Sequence, residues 1–319
     1  MFSLQLRMWL LLAILFGIIY AIVVVIGTSL GVTDFYFYLL VSIVMMFIQY
    51  LIGPKMVEWT MQVKYVTREQ YPQLYRMLDE MAQRAHLPTP KLGVSSVAIP
   101  NAFAFGRGVS DGRVCVTQGI MRLLNEEELR AVLGHELAHI RNRDVLTITL
   151  LSVIPMIMYR IAWHFMFYGH RRNDRNNNAA IVGLVAFLFY FITNLLVLYA
   201  SRIREYFADR GSIEFGNQPS ALASALYKLV YGSARLDRTV LKEAEGLKAF
   251  FMNDPSQAIN EFRQLSQLDL DRNGSIDSTE LVNLRNKTVR LNFSDRLLEV
   301  LNTHPNMLKR IKHLSEQHA

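Results

Sequence analysis

The chain has 319 residues, 51% of them hydrophobic, and a formal net charge of +7. Half-apolar composition argues against an all-soluble protein, and a single cysteine, Cys115, rules out an internal disulfide and suits a reducing cytoplasm. The positive excess does not point to nucleic acid, because the basic residues flank apolar runs or scatter along helices; attraction to anionic lipid is the simpler reading.

In chain order, residues 8–27 carry no charge and are long enough to cross a bilayer as a helix. Residues 35–52 are similar, with aromatics near both ends as expected at an interface. Together they fit a membrane hairpin over residues 1–53 better than a removable signal. Residues 54–145 then read as a small α/β catalytic region. Residues 68–85 are amphipathic and predict a helix ending near Pro88, while 91–97, 101–107 and 113–117 have strand character, with Ser110-Asp111-Gly112 as a turn. Phe103 and Phe105 alternate on the second strand. Either they line the edge of a substrate groove, where an extended peptide adds as a strand, or they belong to the core.

Asn125-Glu126-Glu127-Glu128 is a helix start: Asn125 can cap, Glu128 holds the capping-box position, and three acids favour the positive helix end. Apolar residues follow at helical spacing, predicting a helix over about 126–144. In its middle stands His135-Glu136-Leu137-Ala138-His139. Residues i and i+4 share a helix face, so both imidazoles can point at one metal ion with Glu136 beside its water. That is the HExxH arrangement, in which the metal lowers the pKa of a water and the glutamate takes its proton. Gly134, just before it, lets another backbone or a substrate come close.

A catalytic zinc wants three protein ligands and one open position. Arg141-Asn142-Arg143-Asp144 offers neither the glycine nor the third histidine of a metzincin. Glu205 and Asp209 are better candidates, again at i and i+4: the first can bind the metal, and the second can orient a ligand histidine through its ring N–H. Between the two motifs lie two further apolar runs, 147–167 (with Arg160 and His164) and 179–200 (without charge). A helical hairpin over 146–200 returns the chain to the side it left, so His139 and Glu205 meet at one membrane face; a single crossing would separate them. The basic residues around the first two runs place the catalytic region in the cytoplasm, although Arg171, Arg172 and Arg175 pull the other way.

Four ordered stretches carry a family resemblance: Pro100-Asn101-Ala102-Phe103-Ala104-Phe105-Gly106, residues 134–144, residues 201–209, and Thr303-His304-Pro305. The chain resembles the HtpX-type membrane metalloproteases, which are similar in turn to the CAAX prenyl proteases. The resemblance implies a mainly α membrane protein of about four apolar helices, with a gluzincin-type α+β catalytic domain that has a small sheet and an HExxH helix. It implies a multi-pass zinc endopeptidase of the cytoplasmic membrane, its catalytic domain facing the cytoplasm, that cuts misfolded or damaged membrane proteins. Carried over by residue, His135, His139 and Glu205 bind zinc, Glu136 is the base, Asp209 orients a ligand, Asn101 holds substrate backbone, and His304 helps stabilise the oxyanion. His304 also reads as a cap or turn residue before Pro305.

One segment departs from that family. Residues 269–280 form a complete EF-hand calcium loop, with oxygen ligands at Asp269, Asp271, Asn273, Asp277 and Glu280, a carbonyl expected at Ser275, and Gly274 at the sharp turn. Flanking apolar residues fit an entering and an exiting helix, giving a candidate subdomain over 250–295 between a third-ligand region (201–249) and a C-terminal helix (296–319). No second loop is evident, although EF-hands usually pair. A rival reading is therefore a membrane-anchored calcium-binding scaffold with a non-catalytic zinc site, and a second is a CAAX-type protease of prenylated peptides.

Overall fold

A computed structural model describes residues 35–167, 178–235, 258–286 and 292–317. The first apolar run, 8–27, lies outside them. Contacts divide the chain into two units. The smaller takes in the described parts of residues 1–49 and 157–187, and the larger residues 50–156 and 188–319.

Helices make up the described part of the smaller unit. The second apolar run opens helix α1 (Phe35–Thr60). The third and fourth lie within α5 (Asp144–Phe167) and α6 (Asn178–Glu214). Inside this unit α5 and α6 touch closely at Gly183, where a Cβ would stand 2.6 Å from Met166 Cγ. Large apolar side chains face outward on both α1 and α6: Tyr36 is 74% exposed and Leu184 64%. Rows of that kind are unfavourable in water and suited to lipid or a partner. Among the described residues one helix, Ile181–Glu214, is long and apolar enough to cross a membrane.

The larger unit is built on a four-stranded sheet in the order β1-β2-β4-β3. Its strands are β1 (Val63–Tyr65), β2 (Lys91–Ser95), β3 (Ala102–Phe105) and β4 (Arg113–Thr117). β2 and β4 run parallel, and the two edge strands are antiparallel to their neighbours. The short β1 is not legible in the sequence; three residues between a helix and a turn carry too little alternation. β4 is buried along its whole length, as a central strand should be.

The expected amphipathic helix is α2 (Pro72–Arg84), with a proline at its first turn. After a short α3 (Gln118–Leu123) comes α4 (Glu126–Arg141), the HExxH helix. Its capping box is fully formed: Glu128 N–H donates to Asn125 Oδ1 (2.9 Å) and Asn125 N–H to Glu128 Oε2 (3.0 Å). The helix is buried on nearly every side, between β3, β4, α2 and α7 (Pro219–Ala234). It stops at Asn142, and Asp144 opens the next helix instead of ending this one.

The calcium-loop region contributes α8 (Ala258–Leu265) and α9 (Ser278–Arg285). Their apolar residues Leu265, Leu281 and Leu284, with Ile276 of the loop between them, join the same core as Val132, Leu133 and Leu137 of α4. The C-terminal region is two helices, α10 (Phe293–Val300) and α11 (Met307–Gln317), because Pro305 and the turn before it interrupt the single helix expected.

Candidate metal centre

Helices α4 and α6 come together on small residues. A Cβ at Gly211 would stand 2.5 Å from Ala138 Cβ, and one at Gly134 would stand 2.3 Å from Asn217 Nδ2 and 2.8 Å from Ser212 Oγ. Gly134 thus makes room for side chains of and beyond α6 rather than for a substrate. Ser212 Oγ seals the contact by donating to Ala131 O at 2.6 Å. A Gly211→Val substitution should force the helices apart, at a cost of about 1–3 kcal/mol. Thermal unfolding together with zinc content checks this, and unchanged values for both would refute it.

That close approach carries Glu205 to the two histidines. The Nε2 atoms of His135 and His139 lie 3.1 Å apart, and the Glu205 carboxylate reaches each at 3.6 Å. The three ligand-type atoms all fall within 4.8 Å of one another. Behind the rings stand two more carboxylates, with Asp209 Oδ1 2.9 Å from His135 Nδ1 and Asp144 Oδ2 2.5 Å from His139 Nδ1. Each neutral ring then donates from Nδ1 and turns a lone pair outward from Nε2. Two such lone pairs beside a carboxylate repel one another unless a cation lies among them. Burial pulls the His135 imidazole down, but Asp209 and Glu205 beside it carry it up to about 9, so without an ion the two carboxylates draw a proton onto the ring, and a metal ion at Nε2 would answer the same demand for positive charge. Two imidazole nitrogens and one carboxylate are also the donor set of a catalytic zinc. The residues fit the ion.

Glu136 is 3% exposed and accepts a hydrogen bond from the Ala104 N–H of edge strand β3. Burial pushes its carboxyl above the usual range, while His139 and His135 pull it back. His304, in the turn between α10 and α11, brings Nδ1 to 3.4 Å from Glu205 Oε1. Arg202 of α6 holds that turn, with Nη1 2.8–2.9 Å from the carbonyl oxygens of Glu299, Val300 and Asn302.

Other expected site residues lie elsewhere. Asn101 is fully buried, its backbone locked to Thr117 in both directions at 2.9 Å. Phe103, open between groove edge and core, lies with Phe105 in a satellite cluster with Met61 and Cys115, while Ala102 joins the main core. Asp269, Asp271 and Glu280 converge in a second group apart from the histidines, with Asn273, Ser275 and Asp277 in the same loop.

Residues 68–318 match the model of Peptidase family M48. The chain belongs to that family. Its relatives include a "Protease HtpX homolog" of Methanothermobacter thermautotrophicus, 53% identical over 72% of this chain and 86% of the relative. A second, from Moorella thermoacetica, is 37% identical over 66% of this chain and 72% of its own. The S. mikatae Ste24p crystal structure aligns with 98% of this chain and 67% of its own length, at a TM-score of 0.49 and 14% identity.

Two residues of the centre in this M48 chain escape sequence reasoning. Asp144 reads there only as the end of a motif, yet it holds His139 and is itself held by Arg204, whose Nη1 donates to its backbone oxygen at 2.8 Å. Arg310 of α11 is wholly buried. Its Nη2 and Nε donate to the two Asp209 oxygens at 2.6 and 3.0 Å, and its Nη1 lies 3.1 Å from Glu205 Oε2. Burial pulls the guanidinium pKa down, but Asp209 and Glu205 raise it above the ordinary arginine value. The signal that could have found it is faint: Arg310 sits on the α11 face shared by Met307, Ile311 and Leu314, where a charge needs a buried partner.

Proposed function

We propose that this M48 chain is a zinc-dependent endopeptidase of the cytoplasmic membrane, acting on misfolded or damaged membrane proteins. The observation that carries the reading is the convergence of His135, His139 and Glu205, two of them on the same helix as a buried Glu136. Zinc held by His135, His139 and Glu205 would supply Lewis acidity for activating a water and polarising a peptide carbonyl. Glu136 accepts the proton of that water and later hands it to the leaving amine. His304 supplies a donor to the developing oxyanion. A stretched substrate lies along β3, whose Ala104 N–H already fixes Glu136. Asn101 acts through that strand, since its side chain is buried, and Asp209 keeps His135 in the ligating tautomer.

Membrane attachment is supported by α6. Glu205 lies five residues beyond Ala200, about 7.5 Å along the helix, so the ligand is close to the end of the apolar stretch. The other apolar runs complete a multi-pass anchor, and the basic residues around the first two orient the catalytic unit to the cytoplasm.

The test uses the full chain in detergent with an unfolded membrane protein as substrate. Chelation should stop cleavage, and added zinc should restore it. A Glu205→Ala protein should lose more zinc affinity than the about 10–100-fold that follows removal of a residue behind a ligand. Full zinc occupancy in that variant would reject the assignment.

A further inference from the structure

Nothing in the hydrolytic reaction requires the loop at 269–280, yet its charges need an explanation. Ligand-type oxygens of Asp269, Asp271 and Glu280 lie within 4.8 Å of one another. Asp269 and Glu280 are only 7% and 6% exposed. Among the described residues neither forms an ion pair. Their partners are neutral: the Tyr227 hydroxyl, which donates to Asp269 Oδ2 at 3.1 Å, and backbone N–H groups of the loop. Buried carboxylates without counter-charge are strongly disfavoured, and crowding them together adds repulsion. A cation removes both penalties. The order of oxygen-bearing residues selects calcium, which takes six to eight oxygens in a flexible cage, over the octahedral magnesium.

A second observation says what this lone loop does without a partner hand. Ile276, at the position that meets the neighbouring loop in a paired EF-hand, is 2% exposed and sits in the core shared with the HExxH helix. Helix α8 packs on α7, and both belong to that core. Three residues before Tyr227 and one after it, α7 also grips the start of α4. Ser224 Oγ donates to Glu128 Oε1 at 2.7 Å, and Lys228 Nζ lies 2.7 and 2.9 Å from the two Glu128 oxygens. Glu128 is the capping-box residue of the helix that carries His135 and Glu136. Helix α7 therefore touches the loop through Tyr227 and the HExxH helix through Ser224 and Lys228.

We propose that Asp269, Asp271, Asn273, Asp277 and Glu280, with the Ser275 carbonyl, bind one calcium ion, and that this ion clamps α7 onto the HExxH helix. The site is separate from the zinc centre and stands whether or not the peptidase reading does. The test uses the full zinc-loaded chain in detergent. Terbium should luminesce on excitation through tyrosine, since Tyr227 touches a ligand, and calcium should displace it while equal magnesium does not. Asp271→Asn, at an exposed position that supports no helix, and Glu280→Gln should each weaken calcium binding at least about tenfold. In hydrogen exchange, calcium should slow the amides of 258–286 and also those of 126–141 and 219–234. No binding of either ion at millimolar concentration would overturn the site. Calcium binding with slowing confined to 258–286 would leave the site standing and overturn the clamp.

Discussion

A Glu136→Gln protein is expected to retain its zinc and to hydrolyse peptides about 10²–10⁴-fold more slowly. The substituted amide has nearly the shape of the carboxylate and can still accept the Ala104 N–H through its oxygen, so the fold and the neighbouring histidines should be undisturbed. What disappears is the group that receives a proton. The loss should fall on kcat with little change in KM, because the side chain acts on the reacting atoms and not on the ground-state complex. Metal analysis and single-turnover kinetics on an unfolded substrate measure the two halves separately. Wild-type turnover in a zinc-loaded variant would remove Glu136 from the mechanism.

Removing Arg310 should have the largest effect on stability. It is wholly buried and is the cation that faces both Asp209 and Glu205. Arg310→Met keeps an apolar stem of similar volume but leaves two buried carboxylates without that partner. Breaking such a pair costs about 3–5 kcal/mol. Bound zinc offsets part of the same negative charge, so the loss should be larger in chelator-treated protein than in zinc-loaded protein. Arg310→Lys should recover only part of it, since an ammonium cannot span the two Asp209 oxygens and Glu205 as the planar guanidinium does. Denaturant unfolding with and without zinc decides the matter. Equal stability of the Met variant and the wild type in both conditions would contradict the role given to this arginine.

The centre is partly legible in the sequence because its ligands follow local rules. HExxH and the Glu205–Asp209 pair are both helical i, i+4 patterns, and the Asn125–Glu128 capping box is a four-residue signal; in the fold His135, His139 and Glu205 converge, Asp209 meets His135 and the box is formed. Asp144 and Arg310 escape because their roles depend on which helices meet. Arg310 touches residues 105 and 101 positions earlier, and its neighbours Lys309 and Lys312 make it look like one more charge on an amphipathic helix. Phe103 goes to the core for a related reason: alternation separates it from Ala102 and Ala104 but does not say which face meets the catalytic helix. The small sheet is readable in three strands, and the fourth is too short to carry a pattern. The apolar runs at 35–52, 147–167 and 179–200 are helical as their composition demands, and among the described residues one helix, Ile181–Glu214, is long and apolar enough to cross a membrane.

Asp209 and Asp144 grip the rings from behind, and the grip relies on the protein alone. An enzyme made this way should keep its fold when the ion leaves, at some cost from the crowded ligand atoms, unlike a zinc finger, which collapses without one. Stripped molecules would then form a silent reserve, ready to regain activity within the time an ion takes to diffuse in, with no chaperone and no new synthesis.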